Sequence, residues 1–267
     1  MSIWDKKEAF DELLFCAENF KNKLLSKYLT LKYRPRCLSF QGIEHLQNKQ
    51  FAEIIANGPS SKTYKINPNA QQFYMNFGFL HASFPAAKNP VLTIVDKKLI
   101  NGGWSIDMIK EAYQENSSTV FAFNIEFIKS REIRDLARKY KIIFLYNFLS
   151  PTRWARKPKF LIGKPSYGGG ATESSIALAV SLSYKMVNVS GFDGNNVILG
   201  LSSKQTHFYG QDPSKDWSDP NFSARELRFL SYFIDKNVHL ARLLKMAGVE
   251  VRLIKPTIFM NMYSSHK

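Results

Sequence analysis

From Phe51 onward, short apolar runs alternate with amphipathic stretches, and this alternation limits the chain to few folds. Strands are expected at Phe51–Ala56, Gln72–Asn76, Val91–Asp96, Thr119–Asn124, Ile142–Phe148, Met186–Ser190 and Val249–Ile254. Helices are expected at Ser105–Tyr113, Lys129–Tyr140, Ala171–Tyr184 and Ala224–Met246, with Gly248 as a C-cap. Strands separated by helical stretches call for crossover connections, and these give parallel pairing. The expected fold class is therefore α/β, a Rossmann-like, mainly parallel sheet with helices on both faces. At 45% hydrophobic residues, 267 residues supply the core of one such domain. No internal repeat or low-complexity linker divides it, so residues 51–267 read as one domain.

Residues 1–50 read as a helical N-terminal extension. Phe10, Leu13, Leu14, Phe20, Leu24 and Leu25 recur at roughly helical spacing among Lys and Glu. The stretch from Lys27 to Arg36 is basic and aromatic, and Pro35 should end the helix nearby. A helix packed on the main domain with solvated charges accounts for this pattern. A membrane-surface or partner-binding role is the alternative.

The apolar runs end in turns with chemical potential. Asn57-Gly58-Pro59-Ser60 follows the first strand and offers close backbone approach together with amide and hydroxyl groups for a ribose or phosphate. Asn76 closes the second strand. Gly168-Gly169-Gly170 then Ala171-Thr172 opens a helix of small residues, where free backbone N–H groups and the helix dipole suit an anion. The glycines match neither GxGxxG with a ribose-binding acid nor GxxxxGK[ST]. Ser190-Gly191-Phe192-Asp193 closes the strand after that helix. In an open α/β sheet, such carboxyl-terminal turns border the ligand crevice.

His207, in Thr206-His207-Phe208-Tyr209-Gly210, is one of five histidines. An imidazole titrates near neutrality and suits a general base, while a lone His among such aromatic neighbours is more often a hydrogen-bonded structural residue. No Asp-x-Asp dyad, HExxH or Cys/His cluster is present, so no metal site is expected. Asp212, Asp216 and Asp219, with Pro213 and Pro220 beside them, read as a solvated loop. The two cysteines, Cys16 and Cys37, form no CxxC pair, which fits a reducing compartment. The net charge of +15 predicts attraction to anions: nucleic acid, an acidic membrane leaflet, nucleotide donors or acidic polysaccharide. The run Arg153-Trp154-Ala155-Arg156-Lys157-Pro158-Lys159 adds to it.

Across roughly residues 51–210, the order of these motifs resembles the bacterial sialyltransferases that take sugar from CMP-sialic acid, and related bacterial surface-sugar transferases. The Asn-Gly-Pro-Ser turn corresponds to Asn57–Ser60, the nucleotide-facing Asn to Asn76, and the Ser-Gly-hydrophobic-Asp strand end to Ser190–Asp193. Ser183-Tyr184-Lys185 ends the small-residue helix, and Thr206-His207-Phe208 matches the segment that supplies the base. The chain departs from the pattern after Asp193. Gly194-Asn195-Asn196 stands where the family has tyrosines for the leaving phosphate, and no arginine matches near the glycine turn.

The resemblance implies an inverting, metal-independent glycosyltransferase with His207 as base. It implies donor contacts at Asn57, Gly58, Pro59, Ser60, Asn76, Gly168, Gly169, Gly170, Ala171, Thr172 and Asp193. It further implies a CMP-sugar donor, no cofactor and an oligosaccharide or glycolipid acceptor of lipopolysaccharide or capsule. The donor sugar is open between sialic acid and Kdo or another nonulosonate. A non-catalytic, basic nucleic-acid-binding protein is a rival from another class, although no helix-turn-helix, RRM or KH signature is present and no specific nucleic acid is expected. A metal-dependent nucleotide enzyme on a similar fold is a third reading. The opening residues carry no signal-peptide core, so a cytoplasmic protein is expected, with peripheral contact to an acidic inner-membrane surface as an addition.

Overall fold

The computed structural model describes residues 17, 20–33, 45–46, 49–145, 170–194, 199–200, 202, 204, 206–210, 217–255 and 257–263. Seven strands form one sheet: β1 (Phe51–Ile55), β2 (Ala70–Met75), β3 (Val91–Ile94), β4 (Val120–Asn124), β5 (Lys141–Leu145), β6 (Met186–Ser190) and β7 (Glu250–Leu253). Their spatial order is β5-β4-β3-β2-β1-β6-β7, and every neighbouring pair is parallel. The helices are α1 (Asp107–Glu115), α2 (Arg131–Leu136), α3 (Ala171–Ser181), α4 (Pro220–Met246) and α5 (Met260–Tyr263), and residues 20–33 are also helical. The expected α/β class is the class observed.

The inner strands β1 to β4 are largely buried on both faces, which is why they read as apolar runs, whereas the edge strand β7 alternates and exposes Glu250 and Arg252. On one face Ile54, Phe73, Val91, Val120 and Val189 pack under Ile176 and Leu178 of α3, Leu240 and Leu244 of α4, and Tyr263 of α5. On the other, Ile55, Tyr74, Leu92, Phe121 and Phe123 pack under Ile109 and Ala112 of α1 and under Leu29. Two of the described parts of the N-terminal fifty residues, 20–33 and 45–46, touch this core. Leu29 and Leu46 are fully buried, and the Tyr184 hydroxyl donates to the Leu46 carbonyl.

Element boundaries move for local reasons. The stretch expected as one helix over Lys129–Tyr140 is split by Ser130, whose hydroxyl accepts from the Ile133 N–H and starts α2, while a 3₁₀ turn (Ile125–Lys129) precedes it. α3 stops at Ser181 because Ser183 takes a left-handed φ of +69°. α4 begins at Pro220 rather than Ala224, since proline is tolerated in a first helical turn, and the Asp219 carboxylate accepts from Asn221 N–H at 2.9 Å. Gly248, with φ of +66°, follows α4 as expected.

The chain steps outward from β1 through β2 to β5, then returns to place β6 on the other side of β1. Because this return crosses the sheet, α3 lies against β1, β2 and β3. Its small residues make that close approach feasible: Ser175 donates to Thr93 Oγ1 at 2.9 Å, and Ala177 and Ala179 are buried.

Candidate functional site

Connections leave β1 and β6 in opposite directions, so a crevice opens at their carboxyl ends, the usual ligand position in such sheets. A cleft of about 180 Å³ lies there. It is lined by eight of the residues expected from sequence: Asn57, Gly58, Asn76, Gly170, Ala171, Thr172, Asp193 and His207. Pro59 and Ser60 stand just behind it in a 3₁₀ turn. Gly168, Gly169, the basic run 153–159, Asp212, Asp216, Cys16, Pro35 and Cys37 lie outside the described residues.

The turns after β1 and β6 are locked together. Ala56 N–H donates to Ser190 O and Gly58 N–H to Gly191 O, both at 2.8 Å. The Asp193 carboxylate accepts from Ser60 N–H at 3.0 Å and also from the Ser60 hydroxyl. Gly191 has φ of +71°, and a Cβ there would lie 2.3 Å from Ala56 O. A Cβ on Gly58 would lie 2.4 Å from Gly191 O. These glycines are required by backbone contact, and the Asp193 carboxylate is engaged in holding the turn.

Asn57 and Asn76 present polar atoms to the cleft. In both, Oδ1 is buried without a hydrogen-bond partner among the described residues. Asn76 also has φ of +50°, the left-handed region, directly after β2. Unmet buried acceptors and a strained backbone together are features that cluster where ligands bind.

At the third wall, Gly170 N-caps α3 and Thr172 donates its hydroxyl to Met75 Sδ at 3.1 Å, joining α3 to the end of β2. Glu173, not among the residues expected from sequence, also lines the cleft. It is fully buried in the first turn of α3, and its side chain folds back toward Gly170, where an added Cβ would lie 2.7 Å from Oε2. Glu173 Oε1 accepts from Asn237 Nδ2 at 2.8 Å, and Asn237 Oδ1 accepts from the Tyr263 hydroxyl at 2.6 Å. A carboxylate thus already shares the positive end of the α3 dipole. Its signal in the sequence was a lone acid inside an otherwise neutral small-residue helix.

His207 reaches the cleft from a tight turn. It bridges Gly210 through two backbone hydrogen bonds, and Phe208 N–H donates to Asn57 O at 2.9 Å. The imidazole stacks on Tyr209 with centroids 5.0 Å apart, and Tyr209 packs on Phe77. The base candidate is therefore fastened to the turn that carries Asn57. Another histidine, His81, has a different role. It is buried, its Nε2–H donates to Ser61 O at 2.9 Å, and its Nδ1 faces Ser83 Oγ at 2.7 Å. That pairing ties the residues after β2 to the turn after β1.

Phe192 and Phe233 supply the apolar wall of the cleft, in T-shaped contact at 6.0 Å. Among the described residues, no group of three His, Cys, Asp or Glu side chains is placed to hold a metal ion. Among the same residues, no helix is long and apolar enough to cross a membrane.

No protein-family model and no curated protein matches the chain. Among solved structures, it is similar to the sialyltransferase CstII from Campylobacter jejuni in complex with the substrate analogue CMP-3FNeuAc. The identity is 13%, the match covers 82% of this chain and 86% of that one, and the TM-score is 0.47. It is also similar to the monofunctional alpha-2,3-sialyltransferase Cst-I from the same organism, at 14% identity, 82% and 84% coverage, and a TM-score of 0.45.

Proposed function

We propose that this chain is an inverting glycosyltransferase that moves a nonulosonic acid, sialic acid first, from a CMP-linked donor to a hydroxyl of a surface glycan. The observation that carries the proposal is the switch-point cleft itself, in which Asn57, Asn76, the start of α3 and His207 meet. The ordered motifs from Asn57 to His207, which resemble those of CMP-sialic acid-dependent transferases, support it.

The two unmet amide oxygens favour cytosine. An amide Oδ1 accepts from the cytosine amino group or a ribose hydroxyl, whereas uracil offers an acceptor where cytosine offers a donor. In this reading the donor lies with its nucleotide against Asn57 and Asn76 and its phosphate toward Ala171 and Thr172. Because Glu173 shares that helix end, local hydrogen bonds from backbone N–H groups and the Thr172 hydroxyl answer the phosphate charge more than the dipole does.

His207 takes the proton of the acceptor hydroxyl as its oxygen bonds to the anomeric carbon. The bond from that carbon to the phosphate oxygen breaks on the opposite face, and CMP leaves with the electron pair. A positioned base contributes ~10²–10⁴-fold. A monophosphate leaving group needs less charge neutralisation than a diphosphate, so the reaction is proposed to run without metal.

Kdo or another nonulosonate is the second reading for the donor, and Gly194 marks where the chain departs from the sialic acid pattern. The family resemblance expects a tyrosine just after Asp193. Here φ is +70° and a Cβ would lie 2.5 Å from Ile258 Cγ1, so no side chain fits.

The test is thermal stabilisation by CMP, UMP, ATP and NAD, each in EDTA and again with magnesium. CMP at ~100 times its Kd should stabilise the protein by about 2.7 kcal/mol. Stabilisation by ATP that needs magnesium and exceeds that by CMP would overturn the reading.

A further inference from the structure

The helix over residues 20–33 has one face in the core and another that the domain leaves uncovered. Leu29 and Ser26 are buried, and Leu25 and Tyr33 pack against the same cluster. The Arg134 guanidinium of α2 lies 5.1 Å from the Tyr33 ring centre and fixes the helix to the domain. At 100° per residue these positions share one side.

The opposite side carries Phe20, Leu24, Tyr28 and Leu31, which are 64%, 51%, 54% and 75% exposed. Two of these, Phe20 and Leu24, belong to the apolar spacing that sequence alone reads as a core face. The structure turns them outward. On the helical wheel this stripe is flanked by Lys23 and Lys27 on one edge and by Lys21 and Lys32 on the other, all exposed. Residues 20 to 33 contain no Asp or Glu.

An apolar stripe between two rows of lysines matches the two layers of a bilayer surface. Apolar side chains enter the acyl boundary, and lysines on both flanks reach anionic headgroups with their apolar stems along the interface. A nucleic acid would use the lysines but leave Phe20, Leu24 and Leu31 exposed to water. The helix is about 21 Å long and is fixed to a rigid domain, so docking orders little additional chain.

We propose that the outward face of helix 20–33 docks the protein on an anionic phospholipid surface, with Phe20, Leu24 and Leu31 inserted and Lys21, Lys23, Lys27 and Lys32 on the headgroups. The proposal stands on the helix alone and is independent of the reaction proposed above.

The experiment is co-sedimentation of the full chain with vesicles of phosphatidylcholine alone and of phosphatidylcholine mixed with phosphatidylglycerol. The wild type should bind the mixed vesicles, more weakly as salt is raised. Replacing Phe20, Leu24 and Leu31 together by Ser should lower binding at least ~tenfold without moving the melting temperature, because all three are exposed. Leu31→Ser alone, at the most exposed position, should lower it in the same direction. Lys23→Glu with Lys27→Glu should remove the preference for phosphatidylglycerol. Equal binding to both vesicle types by the wild type would overturn the proposal. So would unchanged binding by the folded serine variants, which would leave only a general attraction to polyanions such as DNA.

Discussion

The Asp193 carboxylate, three residues past the end of β6, holds both hydrogen-bond donors of Ser60 beyond β1: its backbone N–H at 3.0 Å and its hydroxyl. The two strands border the switch point, so this pairing sets the width of the cleft mouth. Asp193 was expected to touch the donor. It lines the cleft, and its carboxylate also holds the turn that carries Asn57 and Gly58.

Asp193→Ala should therefore cost stability as well as ligand affinity. A charge-assisted pair of hydrogen bonds is lost, at about 1.5–3 kcal/mol. Urea unfolding gives the first effect, and CMP titration of the folded variant gives the second. Full stability with lost CMP binding would instead make Asp193 a direct ligand contact.

Much of this was legible in the chain. Parallel strands buried on both faces leave runs such as Phe121–Phe123 and Ile142–Leu145, and their spacing reveals crossovers. The turns at Asn57, Asn76 and Ser190 stood out because glycine and asparagine mark backbone that must bend or take a left-handed φ. The direction of a side chain was less legible. Periodicity cannot say which side of helix 20–33 meets the core, and composition cannot say that Ser60 turns toward Asp193. Glu173 and Asn237 are 64 residues apart and meet only through the packing of α3 on α4.

That second pair makes its own forecast. Asn237 is fully buried between the Glu173 carboxylate and the Tyr263 hydroxyl. Asn237→Leu keeps the volume close and removes both partners, so it should destabilise the protein by about 2–4 kcal/mol. Chemical denaturation measures this directly. A change below about 0.5 kcal/mol would mean that the carboxylate is held by other groups.

Glu53, half-buried in the middle of β1, should act in the opposite direction. Burial raises its carboxyl above the ordinary value of 4.5, against the smaller opposing effect of hydrogen bonds from Tyr64 and Asn188. A raised folded-state value means that the unfolded chain gives up this proton first. The ionised group then costs stability as pH rises past about 4.5. Glu53→Gln keeps an acceptor for the Tyr64 hydroxyl and should stabilise the protein at pH 7 by less than about 1 kcal/mol, since solvent still screens the site. The gain should fade in acid. Melting curves of both proteins across pH 4–7 test it, and a gain that grows toward low pH would contradict the assignment.

The most direct test of the proposed reaction is single-turnover release of CMP from CMP-sialic acid in the presence of a sugar acceptor, for wild type and for His207→Ala. Acceptor-dependent release by the wild type in EDTA is expected, with a variant slower by at least ~10²-fold and nearly equal CMP affinity in the two. A folded His207→Ala protein that transfers at the wild-type rate would contradict the role given to this residue. A wild type that binds no CMP would contradict the account as a whole.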